Sequence, residues 1–356
     1  MRIAGSVIGV LGGLLLAGIA CAEPLRLGIS APLSGSSAIL GAQMRSGAEA
    51  AAEDGSVALE IGDDACTAEG GARVARQFVE ARVRIVTGFL CGESIEAAMP
   101  ILKEAGIPVI TIGVRTDSLT DRREKTGWPV FRLGPRADGE HEATARLLTR
   151  LWREALFAIV DDGTIYGREL AESFRNAAEQ DGLKPVFNDT FRPQLDNQIG
   201  LVGRLRKAGA THVFVGGDRD DIAIMARDAH KIGADMVFAG GEALRAAAGP
   251  VPLAAGTLKI ALPEWQEVAR PAVVSEFKAK GIVPEGYVLP AYAAVEVARR
   301  TFADAGPSGD LKKTLTEHDF QTAIGPVRFD DKGDLSENPY RVFRYDGTRF
   351  TPVDVQ

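Results

Sequence analysis

Histidine and cysteine are scarce, at four and three in 356 residues. The histidines, His141, His212, His230 and His318, are scattered and lack the short spacings that ligate a metal. No G-x-x-x-x-G-K-S/T, G-x-S-x-G or H-E-x-x-H stretch occurs, which removes the usual signatures of phosphate-loop, serine-nucleophile and zinc-hydrolase chemistry. No basic cluster offsets the formal net charge of −7, so a general nucleic-acid binder is excluded. Beyond Glu23 no apolar run is long enough to span a bilayer. No cofactor is implied by any motif.

What remains is ordinary globular composition, 46% apolar and 25% charged, in a chain long enough for two lobes. The N-terminus stands apart. Met1-Arg2 is followed by an apolar, glycine-rich run to Ile19 and then by Ala20-Cys21-Ala22. That pattern predicts a secretory signal peptide over 1–22 and export. A lipoprotein anchored through Cys21 is the alternative, but Gly18 stands where its recognition sequence wants an aliphatic residue. Cleavage after Ala22 leaves Cys66 and Cys91, an even count that reads as one disulfide in an oxidising compartment.

From Leu25 the chain alternates. Strands are expected at 25–30, 57–62, 84–88 and 108–112, with helices at 69–80 and 94–104 and another on the Leu40, Met44, Gly47, Ala48 and Ala51 face. Residues 113–128 read as a polar loop. A second series runs from helix 138–152 to strand 236–239, and the stretch after Leu262 returns to helices and ends in short strands and turns at 325–329, 340–345 and 349–352. This is the signature of parallel, doubly wound α/β sheets in two successive lobes.

The stretch around Cys66 and Cys91 organises the first lobe. Each cysteine follows a strand, and neighbouring strand ends lie side by side in a parallel sheet, so the thiols can meet. Cys91 also precedes a helix whose unpaired N–H groups form a seat for an anion. Polar strand ends recur at Gly92-Glu93-Ser94, Gly113-Val114-Arg115-Thr116, Asp161 to Tyr166, Gly216-Gly217-Asp218-Arg219 and Gly240-Gly241-Glu242. Ligands bind outside the carboxyl ends of such strands, and ends split between two lobes fit a cleft between them.

These residues resemble a known family. Ala31-Pro32-Leu33-Ser34-Gly35, Asp63-Asp64-Ala65-Cys66, Leu90-Cys91, Tyr166-Gly167, Val215-Gly216-Gly217 and Ile324 to Asp334 are similar, in order, to the leucine/isoleucine/valine-binding branch of the type I periplasmic solute-binding proteins. The resemblance spans Leu25 to the C-terminus. It implies two Rossmann-like lobes with a ligand cleft between them, joined by three crossing strands. Lobe 1 would take 25–136 and 264–326, and lobe 2 would take 137–263 and 327–356. It also implies the Cys66–Cys91 disulfide, a permease of an ABC importer as partner, and a monomer that performs no chemistry.

Site residues carry over one by one. The family's carboxylate-binding serine falls at Gly92, beside Glu93 and with Ser94 two residues on. A family Gly-Ala-Thr stretch reads Gly113, Val114 and Arg115, so a guanidinium replaces a hydroxyl. The ammonium-pairing acid matches Glu242, one second-lobe tyrosine matches Tyr166, and another falls at Asp218. A first-lobe tyrosine that closes over the side chain corresponds to about Leu40. Retained Glu242 and Tyr166 imply an amino-acid-like ligand; Gly92, Arg115 and Asp218 depart from a site built for leucine. Two alternatives stand beside this reading. Arg115 and Glu242 could simply pair with each other or with solvent-facing neighbours, and the ligand could be a small carboxylate or amide. A ligand sensor on the same fold would need a DNA-binding or transmembrane segment, and an enzyme would need a nucleophile–base set.

Overall fold

The computed structural model describes residues 24–355. The expected signal peptide, 1–22, and Cys21 lie outside them. In chain order the first series is β1 (Leu25–Ala31), α1 (Ala38–Ala51), β2 (Val57–Asp63), α2 (Ala68–Glu80), β3 (Ile85–Gly88), α3 (Gly92–Glu104), β4 (Val109–Thr111), α4 (Ser118–Asp121), α5 (Arg123–Thr126) and β5 (Val130–Arg132). The second is α6 (Gly139–Leu151), β6 (Phe157–Asp161), α7 (Ile165–Gln180), β7 (Phe187–Thr190), α8 (Ile199–Lys207), β8 (His212–Gly216), α9 (Arg219–Lys231), β9 (Val237–Gly240), a 3-10 turn (Glu242–Arg245) and β10 (Leu258–Ala261). The remainder is α10 (Trp265–Val268), α11 (Pro271–Ala279), α12 (Val288–Ala305), α13 (Leu311–Glu317), β11 (Phe320–Thr322), β12 (Gly325–Val327), β13 (Arg341–Tyr345) and β14 (Phe350–Val353). No helix among the described residues is long and apolar enough to cross a membrane.

The first sheet is wholly parallel in the order β2-β1-β3-β4-β5. The second runs β14-β13-β10-β9-β8-β6-β7, with β7, β6, β8, β9 and β10 parallel and β13 and β14 antiparallel. Taken in chain order, the parallel strands of both sheets follow the same 2-1-3-4-5 pattern. Each therefore has a switch point, between β1 and β3 in one and between β6 and β8 in the other, where helices leave toward opposite faces and a crevice opens.

Packing explains where the late helices go. After β10 the chain returns to the first sheet, and α12 lies on α1 with a shared core of Met44, Ala48, Ala291 and Ala294. The approach is close enough that a Cβ at Gly47 would stand 2.0 Å from the Val288 carbonyl oxygen. The chain then comes back to complete the second sheet with β13 and β14, and Val342 and the Tyr340 ring join the buried core that holds Trp152 and Phe174.

Three sequence expectations are corrected. The loop at 113–128 contains the single turns α4 and α5; Thr120 N and Asp121 N donate to Asp117 O at 3.2 and 3.1 Å. One turn is too short to leave a periodic signal. Helix α3 starts at Gly92, two residues before the expected Ser94, with extended Cys91 as its N-cap (φ −114°, ψ 136°). Glycine is a poor helix former and masked that start. Finally, the strand expected from Tyr340 begins at Arg341, which leaves Tyr340 at the edge of the cleft.

Candidate functional site

Local chemistry sets the first switch point. Cys66 and Cys91 form a disulfide with Cα atoms 5.2 Å apart. Ala65 and Cys66 are left-handed, with φ of 48° and 55°. The Asp63 and Asp64 carboxylates hold this costly backbone by accepting from Ala65 N and Cys66 N, each at 2.9 Å. Helix α2 is capped by Thr67, whose Oγ1 accepts from Gly70 N at 3.0 Å. A Cβ at Gly71 would sit 2.0 Å from Ser94 O, so only glycine lets α2 rest against the first turn of α3.

At that turn Gly92 is partly exposed and Glu93 is exposed, while Ser94 is fully buried. The Ser94 hydroxyl donates back to Cys91 O at 3.0 Å, so it serves its own turn. A Cβ added to Gly92 would meet only Thr116 Oγ1, at 3.9 Å, so the helix start faces the 113–116 loop across open space. In that loop Gly113 packs under Leu90, and the Val114 side chain is buried in the core. Arg115 alone extends toward the second sheet.

The second switch point presents the other wall. Thr164 Oγ1 caps α7 by accepting from Gly167 N at 3.0 Å, and Asp162 Oδ1 accepts from the Thr164 hydroxyl at 2.6 Å. A Cβ at Gly216 would stand 2.1 Å from Gly167 O, so the end of β8 and the first turn of α7 touch. This contact fixes Tyr166. Its hydroxyl donates to Glu140 Oε1 at 2.7 Å, and the same oxygen accepts from Glu242 N at 2.7 Å. Asp218 is the exposed N-cap residue of α9 and makes no side-chain capping bond.

Glu242 completes the wall. Its Oε1 accepts from Leu262 N at 3.3 Å and its Oε2 from the Tyr340 hydroxyl at 3.2 Å. Arg115 Nη2 donates to that hydroxyl, and Arg115 Nη1 stands 4.0 Å from Glu242 Oε2. Arg115 and Glu242 thus form a loose pair, with Tyr340 linking them. Arg115 Nε is buried and has no hydrogen-bond partner among the described residues. It is a donor in want of an acceptor.

Burial pushes the Glu140 carboxyl above its ordinary range, against the opposing pull of the Glu242 N–H and the Tyr166 hydroxyl. Burial also raises Tyr166, with the Glu140 charge acting in the same direction. Tyr340 is raised by burial and by the Glu242 charge. Both hydroxyls therefore remain neutral donors at physiological pH.

Of the residues singled out from sequence, Arg115, Tyr166 and Glu242 converge on this network. Gly92 and Glu93 lie in the first turn of α3, Gly113 packs under Leu90, Asp218 is the N-cap residue of α9 after β8, and Ser94 and Val114 are buried. Leu40, on α1, is partly buried. Glu140 and Tyr340 were not foreseen. Glu140 looks like any acid in the first turn of a helix, and Tyr340 like the first residue of a strand. A cavity of about 990 Å³ lies elsewhere, between Arg136, Glu142, Arg146 and the 330–341 segment. It shares only Tyr340 with the network, and its lining is largely charged.

Comparison with known proteins places the chain in a family. Residues 24–349 match the family described as periplasmic binding protein. The chain is 29% identical over 349 residues to the Leu/Ile/Val-binding protein homolog 3 of Brucella melitensis, covering 93% of this chain and 94% of that one. It is 28% identical over 349 residues to the leucine-, isoleucine-, valine-, threonine-, and alanine-binding protein of Pseudomonas aeruginosa, covering 92% of each. Among solved structures, an ABC transporter substrate-binding protein from Desulfitobacterium hafniense, in complex with Leu, superposes with a TM-score of 0.64 at 20% identity. That match covers 93% of this chain and 100% of that one.

Proposed function

The chain belongs to the periplasmic binding protein family, and from that premise we propose that it is the exported receptor of an ABC importer for an α-amino acid or close analogue. The observation that carries the reading is the opposition of Arg115, in the loop after β4, and Glu242, just after β9, 4.0 Å apart and linked through Tyr340. A ligand carboxylate would take the unpaired Arg115 Nε and the N–H groups at the start of α3. Its ammonium would meet Glu242, with the Glu140 charge behind it. The loose pairing of Arg115 with Glu242 is compatible with this: a zwitterion offers each an opposite charge, while Arg245 Nε stays 3.8 Å from Glu242 Oε1.

Binding would draw the lobes together, because only the closed form touches the ligand from both sides. The partner would be a membrane permease, reached by a monomer after removal of the signal peptide. The names of the curated relatives favour an amino acid over a small carboxylate or amide.

A thermal-shift screen of amino acids, small organic acids and amides against the processed protein tests the reading. A true ligand at 100 times its Kd adds about 2.7 kcal/mol of stability. Stabilisation by organic acids or amides but by no amino acid would overturn it. For a confirmed ligand, small-angle scattering should show a smaller radius of gyration at saturation.

A further inference from the structure

We infer that Arg132, held in place by Asp334, is a positioning residue for the ligand site: it fixes the loop that aims Arg115. The inference rests on the reading of Arg115 as the partner of the ligand's anionic group. Arg132 ends β5 and is completely buried. Its Nη1 donates to Val114 O at 3.1 Å and to Thr116 O at 3.0 Å, the carbonyls on either side of Arg115. Arg115 O in turn accepts from Ala137 N at 2.8 Å. Three consecutive carbonyls are thus held, and the side chain between them has a fixed point of departure.

The guanidinium is itself anchored. Its Nε donates to Asp334 Oδ1 at 2.8 Å and its Nη2 to Thr120 Oγ1 at 2.7 Å. Asp334 Oδ2 accepts from the Thr120 hydroxyl and from Arg136 Nη1, both at 2.8 Å. A buried cation is tolerated only when paired and hydrogen-bonded, and this one is paired on every nitrogen. Asp334 is delivered by a tight turn in which Asp330 Oδ1 accepts from Lys332 N and Asp334 N at 2.9 Å. At Gly333, φ is +90° and a Cβ would stand 2.3 Å from Val130 O, so the turn docks flush on β5. The Asp330–Asp334 segment thereby reaches the ligand loop through one side chain. Lysine cannot replace it, because a single ammonium does not span two carbonyls, a hydroxyl and a carboxylate in fork geometry.

The test uses the full processed protein with Arg132→Lys and, as a milder change, Thr120→Val. Amide hydrogen exchange without ligand reads the loop directly. Residues 113–117 should exchange at least about tenfold faster while β1 and β3 keep wild-type protection. Unchanged exchange at 113–117, or acceleration spread evenly over the first sheet, would overturn the inference. L-leucine titration supplies a second arm. Affinity should fall about 10–100-fold, the range for hydrogen bonds to charged groups. In an Arg115→Ala background the same change should cost less than about threefold, since its effect passes through Arg115. Losses that simply add would reduce Arg132 to a structural residue. If wild-type protein ignores L-leucine, that counts against the amino-acid reading, and the exchange arm still decides the role of Arg132.

Discussion

Arg115 and Glu242 face each other from different sheets, with Nη1 and Oε2 4.0 Å apart and the Tyr340 hydroxyl between them. Glu242 also has the Arg245 guanidinium beside it, with Nε 3.8 Å from its Oε1, while Arg115 keeps a buried Nε without a partner among the described residues. Glu242→Gln keeps the side-chain shape and removes the charge. Amino-acid affinity should then fall about 10–100-fold by isothermal titration, since hydrogen bonds to charged groups are worth about 1.5–3 kcal/mol. Wild-type affinity in the variant would remove the ammonium from Glu242 and leave the carboxylate or amide alternative.

Tyr340→Phe keeps the buried ring in the core it shares with Trp152 and Phe174 and deletes only the hydroxyl. Arg115 and Glu242 each lose a bond, partly replaced by water because both are partly exposed. The expected cost is about 1–2 kcal/mol in urea unfolding, with an unchanged slope. An unaltered midpoint would mean that the hydroxyl links nothing.

Glu140 supplies a pH-dependent test. Burial raises its carboxyl above the ordinary value of 4.5. In the window between that value and the raised one, the folded protein binds more protons than the unfolded chain. Stability from this group is therefore present at low pH and lost as pH rises through the folded pKa. Glu140→Gln retains an acceptor for Tyr166 and Glu242 N but has no charge to bury. Melting curves across the window should show a flatter pH dependence in the variant, with its advantage over wild type growing toward neutral pH. Parallel curves would place the titration elsewhere.

The Cys66–Cys91 bridge has a sequence separation of 25. Closing such a loop contributes about 3.5 kcal/mol in the chain-entropy picture. Reduction should lower the unfolding midpoint accordingly. Thiol titration of the unfolded, unreduced, processed protein should find no free thiol. Two free thiols would contradict the bridge.

The sequence by itself determined the alternation of strands and helices, the even cysteine count and the clustering of polar residues at strand ends. These are short-range properties: hydrophobic period, glycine and proline punctuation, and residue type at a turn. On that basis Arg115, Tyr166 and Glu242 were within reach, with the family resemblance supplying the return of the late helices to the first sheet. Only the tertiary structure decided which strand-end residues face one another. Glu140 meets Glu242 across 102 positions and Arg115 meets Tyr340 across 225, distances at which no local pattern operates. Packing also reversed the apparent role of Ser94: α2, free to approach at Gly71, seals it into its own turn. A strand order of 2-1-3-4-5 in both lobes sets the switch points, and which side chains line them depends on a sheet topology that no short window of residues contains.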